Sequence, residues 1–104
     1  MATNNQISVR AGATLTLTCL KKDSAGAEED VTPITVSANL TEIASGKIII
    51  GLTVTKTGGG HFTLSLTAAQ TLATGPSGFL CTIKYVYASG VVDIVDAFPV
   101  EIKP

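Results

Sequence analysis

The sequence predicts an all-β fold, a single antiparallel sandwich of seven to eight short strands spanning residues 1–104. Three observations predict it. Apolar residues alternate with Thr and Ser along nearly the whole chain, as in Phe62-Thr-Leu-Ser-Leu66, so that three apolar side chains share one face and two hydroxyls the other. Turn chemistry recurs at about the 8–12-residue spacing of a sandwich. No segment carries a helical period beyond one turn.

Ile7-Ser-Val9 opens the first strand, and Gly12 breaks it. Ala13, Leu15, Leu17 and Cys19 alternate with Thr14, Thr16 and Thr18 in a second strand rich in β-branched residues. Residues 22–26 are turn chemistry: Asp23 and Ser24 cap, and Gly26 takes a positive φ. Glu28-Glu29-Asp30 falls in this loop or its exit. Pro33 stands at the start of the third strand, where a missing donor costs little, and Ile34, Val36, Ala38 and Leu40 form its apolar face. Ser45-Gly46 turns the chain into a fourth strand, with Ile48, Ile50, Leu52 and Val54 on one side. Gly58-Gly59-Gly60 reads as a mobile connection to residues 62–66. Thr67 and Gln70 then stand three apart, a capping-box spacing that closes a single helical turn over 67–71. Residues 74–78 form a surface loop. Phe79, Cys81, Ile83, Tyr85 and Tyr87 alternate with Leu80, Thr82, Lys84 and Val86, and Ala88-Ser89-Gly90 is a tight hairpin turn. The last strand covers residues 91–102, interrupted around 96–99, where Pro99 points to an edge or a bulge.

Composition narrows the classes of function. A chain of 104 residues supports one domain with its own core. Apolar residues make up 45% and charged residues 14%, the reverse of a disordered chain. Lys21 and Lys22 are the only adjacent cations and the net charge is −1, so phosphate neutralisation is unsupported and no nucleic-acid partner is expected. No apolar run approaches the roughly 20 residues that span a bilayer, and no membrane partner is expected. Met-Ala-Thr-Asn-Asn lacks the charged start and apolar stretch of a secretory signal. The chain is therefore expected to act where it is made, or to leave inside an assembled particle.

Residues that carry chemistry are sparse. Cys19 and Cys81 fall on the inward phase of the second and second-to-last strands, which resembles the inter-sheet cysteine pair of immunoglobulin domains. The chain has no Trp to pack on such a bridge, and Phe79 stands where a tyrosine-corner Tyr would be. A disulfide closing so long a loop would stabilise by about 4 kcal/mol in the chain-entropy model. In a reducing compartment the pair would be two small buried thiols, and both alternatives stay open. Two cysteines and one distant histidine lack zinc-ligand spacing. His61, the only histidine, follows the three glycines with no nucleophile or orienting acid in a recognisable arrangement. A phosphate loop would need a helix after its glycines, and here a strand follows. Glu28-Glu29-Asp30 lacks the alternate spacing of a calcium loop. Asp93 and Asp96, three apart, would point to opposite faces, which disfavours a carboxylate pair. No catalytic residue, cofactor or metal is expected.

Several outward-phase positions are apolar, namely Leu20, Ile49, Leu80, Val86, Val91 and Val95. Val86, Val91 and Val95 belong to consecutive strands joined by the Ala-Ser-Gly turn. They are expected to form a contiguous patch on the outer face of the final hairpin, which either joins an inter-subunit interface or is covered by the chain's own termini.

Three segments carry a resemblance. Ile7-Ser-Val-Arg-Ala-Gly-Ala-Thr-Leu-Thr-Leu-Thr-Cys19, with Lys22-Asp-Ser-Ala-Gly26 and Asp30-Val-Thr32, is the first. Phe62-Thr-Leu-Ser-Leu-Thr-Ala-Ala-Gln-Thr71 is the second and most specific, and Gly78-Phe-Leu-Cys-Thr-Ile-Lys-Tyr85 with Ala88-Ser-Gly-Val91 is the third. Together they resemble the small immunoglobulin-like virion proteins of tailed bacteriophages, related to the N-terminal module of baseplate upper proteins. The resemblance implies an immunoglobulin-like sandwich and a non-enzymatic structural component of the tail, baseplate or fibre attachment. It would be present in many copies, made in the bacterial host cytoplasm, and partnered by other virion proteins. Capsid decoration is a neighbouring expectation, and a host-surface receptor or glycan-binding module is a further one. Glycan sites display exposed aromatic rings, whereas Phe62, Phe79, Tyr85 and Tyr87 sit on inward phases.

Overall fold

A computed structural model describes residues 7–104, apart from the side chains of Asp96 and Ala97. Its strands are β1 (Ile7–Arg10), β2 (Leu15–Leu20), β3 (Thr35–Glu42), β4 (Ile48–Gly58), β5 (His61–Leu66), β6 (Ser77–Val86) and β7 (Val92–Lys103). One helix, α1 (Ala68–Thr74), lies between β5 and β6. The strands hydrogen-bond in the order β1-β7-β6-β3-β4-β5-β2. β4 belongs to both halves of this order: residues 48–52 pair with β3 and residues 53–58 with β5.

The alternation predicts the core well. Leu15 and Leu17 on β2, Phe62, Leu64 and Leu66 on β5, Phe79, Cys81, Ile83 and Tyr85 on β6, and Val100 and Ile102 on β7 are all buried in one cluster. β2 ends the strand order on one side, and β7 is next to last on the other. Their side chains meet only because the sheet folds over on itself, with the long β4 carrying the bend. Each such burial contributes on the order of 1.5–3 kcal/mol.

The expected uniformly antiparallel arrangement needs one correction. β1 runs parallel to β7, with Ile7 opposite Val100 and Val9 opposite Ile102. Parallel neighbours need a long crossover, and here that crossover is the rest of the domain. Hairpin signals in sequence say nothing about a pairing between the two ends of a chain. The last strand is also continuous and not interrupted. The irregularity expected around 96–99 is a bulge: Cys81 and Thr82 of β6 pair with Phe98 and Asp96, so that Ala97 is the extra residue on β7. Pro99 stands just before the first residue that β1 pairs, where its missing N–H costs no ladder bond on that side.

The single capped turn is a seven-residue helix. Thr67 accepts from the Gln70 backbone, and the Gln70 side chain accepts from the Thr67 backbone, so the capping box closes in both directions. Thr71, fully buried, ties this helix to the β1–β2 turn. Its hydroxyl donates to the carbonyl of Ala13 at 2.7 Å and accepts from the backbone N–H of Gly12 at 3.1 Å. Thr71→Val keeps the shape and strands both backbone groups. The expected loss is about 1–3 kcal/mol in a urea titration, with a native far-ultraviolet spectrum.

The triple glycine is not a mobile connection. Gly59 and Gly60 form a tight hairpin turn gripped by the β2–β3 loop: Lys21 donates its backbone N–H to the Gly60 carbonyl and Val31 to that of Gly59, both at 2.9 Å. A Cβ on Gly60 would lie 2.7 Å from the Glu29 carbonyl oxygen and 2.9 Å from that of Lys21. The glycine is there because two other backbones pass through the space a side chain would take.

A candidate protein-contact surface

Apolar side chains are exposed at Leu20, Ile43, Ile48, Ile49 and Leu72, and four more lie together at the β6–β7 hairpin. Val86 pairs with Val92, Tyr85 with Asp93, Lys84 with Ile94 and Ile83 with Val95. Lys84 and Val86 are on the outward phase of β6, so the outer row of β7 is Val92 and Ile94. Val91 lies in the turn, where its carbonyl accepts from the Tyr87 N–H at 2.9 Å. Val91, Val92, Ile94 and Val95 are 59%, 50%, 62% and 40% exposed.

The three valines expected to share one outer face are therefore divided. Val86 is outward and half-buried, Val91 caps the turn, and Val95 falls in register with the buried Ile83, on the inward phase. Sequence alternation placed Val95 outward because the register shift between Cys81 and Thr82 reverses the phase of β7 midway. Val92 and Ile94 were missed for the same reason. Val95 is nonetheless exposed, and among the described residues β1 pairs only with residues 100–103 of β7. The arm thus shows apolar side chains on both faces.

Beside the arm, three loops lock together. Lys21 is only 8% exposed, and its ammonium donates to Glu29 Oε1 at 2.9 Å. The same ammonium lies 4.7 Å from the centre of the Tyr85 ring and 5.8 Å from that of Tyr87, a cation–π arrangement on two faces. Burial pulls the Lys21 pKa down, but hydrogen bonds to Glu29 and Tyr87 outweigh it and the net shift is upward. Lys56 donates to the carbonyl of Thr32 at 3.2 Å and also to that of Ile34. The long loop before β3 is thereby fixed to β4 through Lys56 and to β6 through Tyr85. Lys21→Met retains the aliphatic stem and removes the charge. It is expected to lower stability by about 2 kcal/mol, since Glu29 loses its partner, and a thermal melt reads this directly.

His61 lies 3.5 Å from Glu28 Oε1, and Glu28 Oε2 accepts from the Gly60 N–H at 2.9 Å. Glu29 faces Lys21, and Asp30 bonds Thr32. Each member of the acidic run serves its own loop contact, and among the described residues no three His, Cys, Asp or Glu side chains converge on a metal position. The possible disulfide partners, Cys19 on β2 and Cys81 on β6, stand as free thiols, the first half-buried and the second fully so. Burial, with the neighbouring Cys19 adding to it, pushes the Cys81 thiol up to about 12.

No protein-family profile matches this chain. No curated protein matches it. Among solved structures it is similar to murine CRIg, with a TM-score of 0.52 at 12% identity, covering 98% of this chain and 93% of that one. A second similar structure is the ZIG-8–RIG-5 IG1–IG1 heterodimer, with a TM-score of 0.46 at 14% identity over 98% of this chain and 84% of that one. At 12% identity the likeness to murine CRIg concerns the fold alone: the chain is all-β with an immunoglobulin-like fold.

Proposed function

We propose that this chain is a non-enzymatic structural component of a tailed-phage virion, built on an immunoglobulin-like sandwich and acting through contacts with neighbouring virion proteins. The three sequence segments that resemble the immunoglobulin-like virion proteins support the setting. The single observation that carries the contact role is the arm at residues 91–95, whose apolar side chains are exposed on both faces of a strand anchored in a rigid core. Soluble domains tolerate scattered apolar residues at the surface, but contiguous ones mark a surface meant to be covered. Tail, baseplate or fibre attachment is the leading placement, and capsid decoration uses the same contact chemistry with a different partner. The burial of Phe62, Phe79 and Tyr85 leaves few rings for stacking on a sugar, which sets the glycan-binding reading behind these. In an oxidising particle the Cys19–Cys81 pair would close as a staple between β2 and β6, read as a two-hydrogen mass difference with and without reductant.

Mass spectrometry of purified particles tests the proposal. The chain is expected in many copies per particle, and a Val92→Lys, Ile94→Lys variant is expected to be depleted from particles while folding normally. Particles without the chain, or a variant incorporated at the wild-type level, would overturn it.

A further inference from the structure

We infer that the open half of the β7 edge receives a second copy of this chain, by antiparallel pairing of β7 with β7 of its mate about a two-fold axis. The inference rests on reading the arm as a contact surface and names the partner.

β7 has twelve residues, and β1 covers only the last four. Residues 92–98 are bonded to β6 on one side, and among the described residues no strand pairs with them on the other. Natural sheets protect such an edge with charge, proline or a bulge. Here the bulge and Pro99 protect only the far end of the open stretch. The near end, residues 91–95, carries one charge, Asp93, among Val91, Val92, Ile94 and Val95. An edge with no partner strand among the described residues, together with exposed apolar side chains on both faces, calls for an extended strand that is itself apolar on both faces.

The chain supplies such a strand in its own arm. With the two-fold axis on Ile94, Ile94 meets its mate and Asp93 lies opposite Val95 of the other copy, so every directly opposed position in 93–95 includes an apolar residue. With the axis on Asp93, two carboxylates would stand directly opposite, which is unfavourable. The side chains on each face keep their phase across such an axis, and the sheets of the two copies become continuous. An arm with a single charge offers nothing to a strongly acidic or basic partner, and a chain of net charge −1 does not repel its own copy. Two-fold dimers are the commonest form of soluble oligomer.

The test is sedimentation equilibrium of the full chain between about 1 μM and about 1 mM, the range of modest to weak dimers. The mass is expected to rise towards twice 10.6 kDa. Val92→Lys with Ile94→Lys is expected to weaken the dimer at least tenfold or so with an unchanged melting temperature, because both positions are exposed in the single chain. Ile48→Lys, an equally exposed substitution at the other end of the sheet, is expected to leave the mass as it is. Amide hydrogen exchange within residues 92–95 is expected to slow as concentration rises. A monomer throughout the range overturns the inference, as does a dimer indifferent to the arm variant. Protection at 92–95 that is independent of concentration and lost on deleting residues 1–6 also overturns it, since the chain's own leading segment would then occupy the edge. A monomer that still enters particles would leave the virion role standing, and a dimer never found in particles would do the reverse.

Discussion

Phe62→Ala is expected to lower the unfolding free energy by about 3–5 kcal/mol, a large part of what a domain of this size possesses. Phe62 is fully buried at the start of β5 and stands opposite Cys19 on β2 and Lys56 on β4. Its ring meets that of Tyr85 edge-on, with centroids 6.2 Å apart and planes at 83°. β5 and β6 are not neighbours in the strand order, so this contact crosses the core from one half of the folded-over sheet to the other. Removing the ring opens a cavity where the two halves meet and takes away the aromatic floor on which Tyr85 holds the Lys21 ammonium. Urea denaturation should show a lower midpoint with an unchanged slope. Phe62→Leu, which refills most of the volume, should recover more than half of the loss. A loss below about 1 kcal/mol for the alanine variant would mean that the two halves of the sheet do not share one core.

The parts of this fold legible in sequence are those decided locally. Leu15, Leu17, Leu64, Leu66 and Ile83 are buried because a period of two leaves a strand no other choice once one face is apolar. Thr67 and Gln70 cap a helix by contacts only three residues apart. What sequence did not reveal depends on segments distant along the chain. Gly60 looks like flexible punctuation until the carbonyls of Lys21 and Glu29 are found in the space beside it. β1 reads only as an opening strand until it is seen to run beside β7. Most telling for the contact surface, a register shift opposite Cys81 moves Val95 to one face and Ile94 to the other. A single inserted residue exchanges the faces of everything beyond it. The composition of the arm, four apolar residues in five, was readable throughout; which of them face together was not.

Stability is expected to fall steeply in alkali, with Cys81 as the principal cause. Burial raises its thiol from an ordinary value of 9.0 to about 12. In the unfolded chain the thiol gives up its proton near the lower value, while the folded chain retains it. Above the lower pKa the unfolded state therefore binds fewer protons, and stability declines as pH rises from about 9 towards 12. At pH 10.5 the loss from this one group is on the order of 2 kcal/mol, since each unit between the two states corresponds to about 1.4 kcal/mol. Tyr85, whose pKa is also raised chiefly by burial, acts in the same direction, and so does the raised Lys21 once pH passes its ordinary value. Denaturant titrations at pH 7, 9 and 10.5 read the decline. Cys81→Ala is less stable at pH 7 through its cavity, yet its stability should change less between pH 9 and 10.5 than that of the reduced wild type. Oxidation that ties Cys81 to Cys19 removes the titrating thiol and should flatten the same stretch of the curve. A reduced wild type and a Cys81→Ala variant with parallel curves over that range would show that the thiol ionises without hindrance, and that water reaches β6 at the centre of the core.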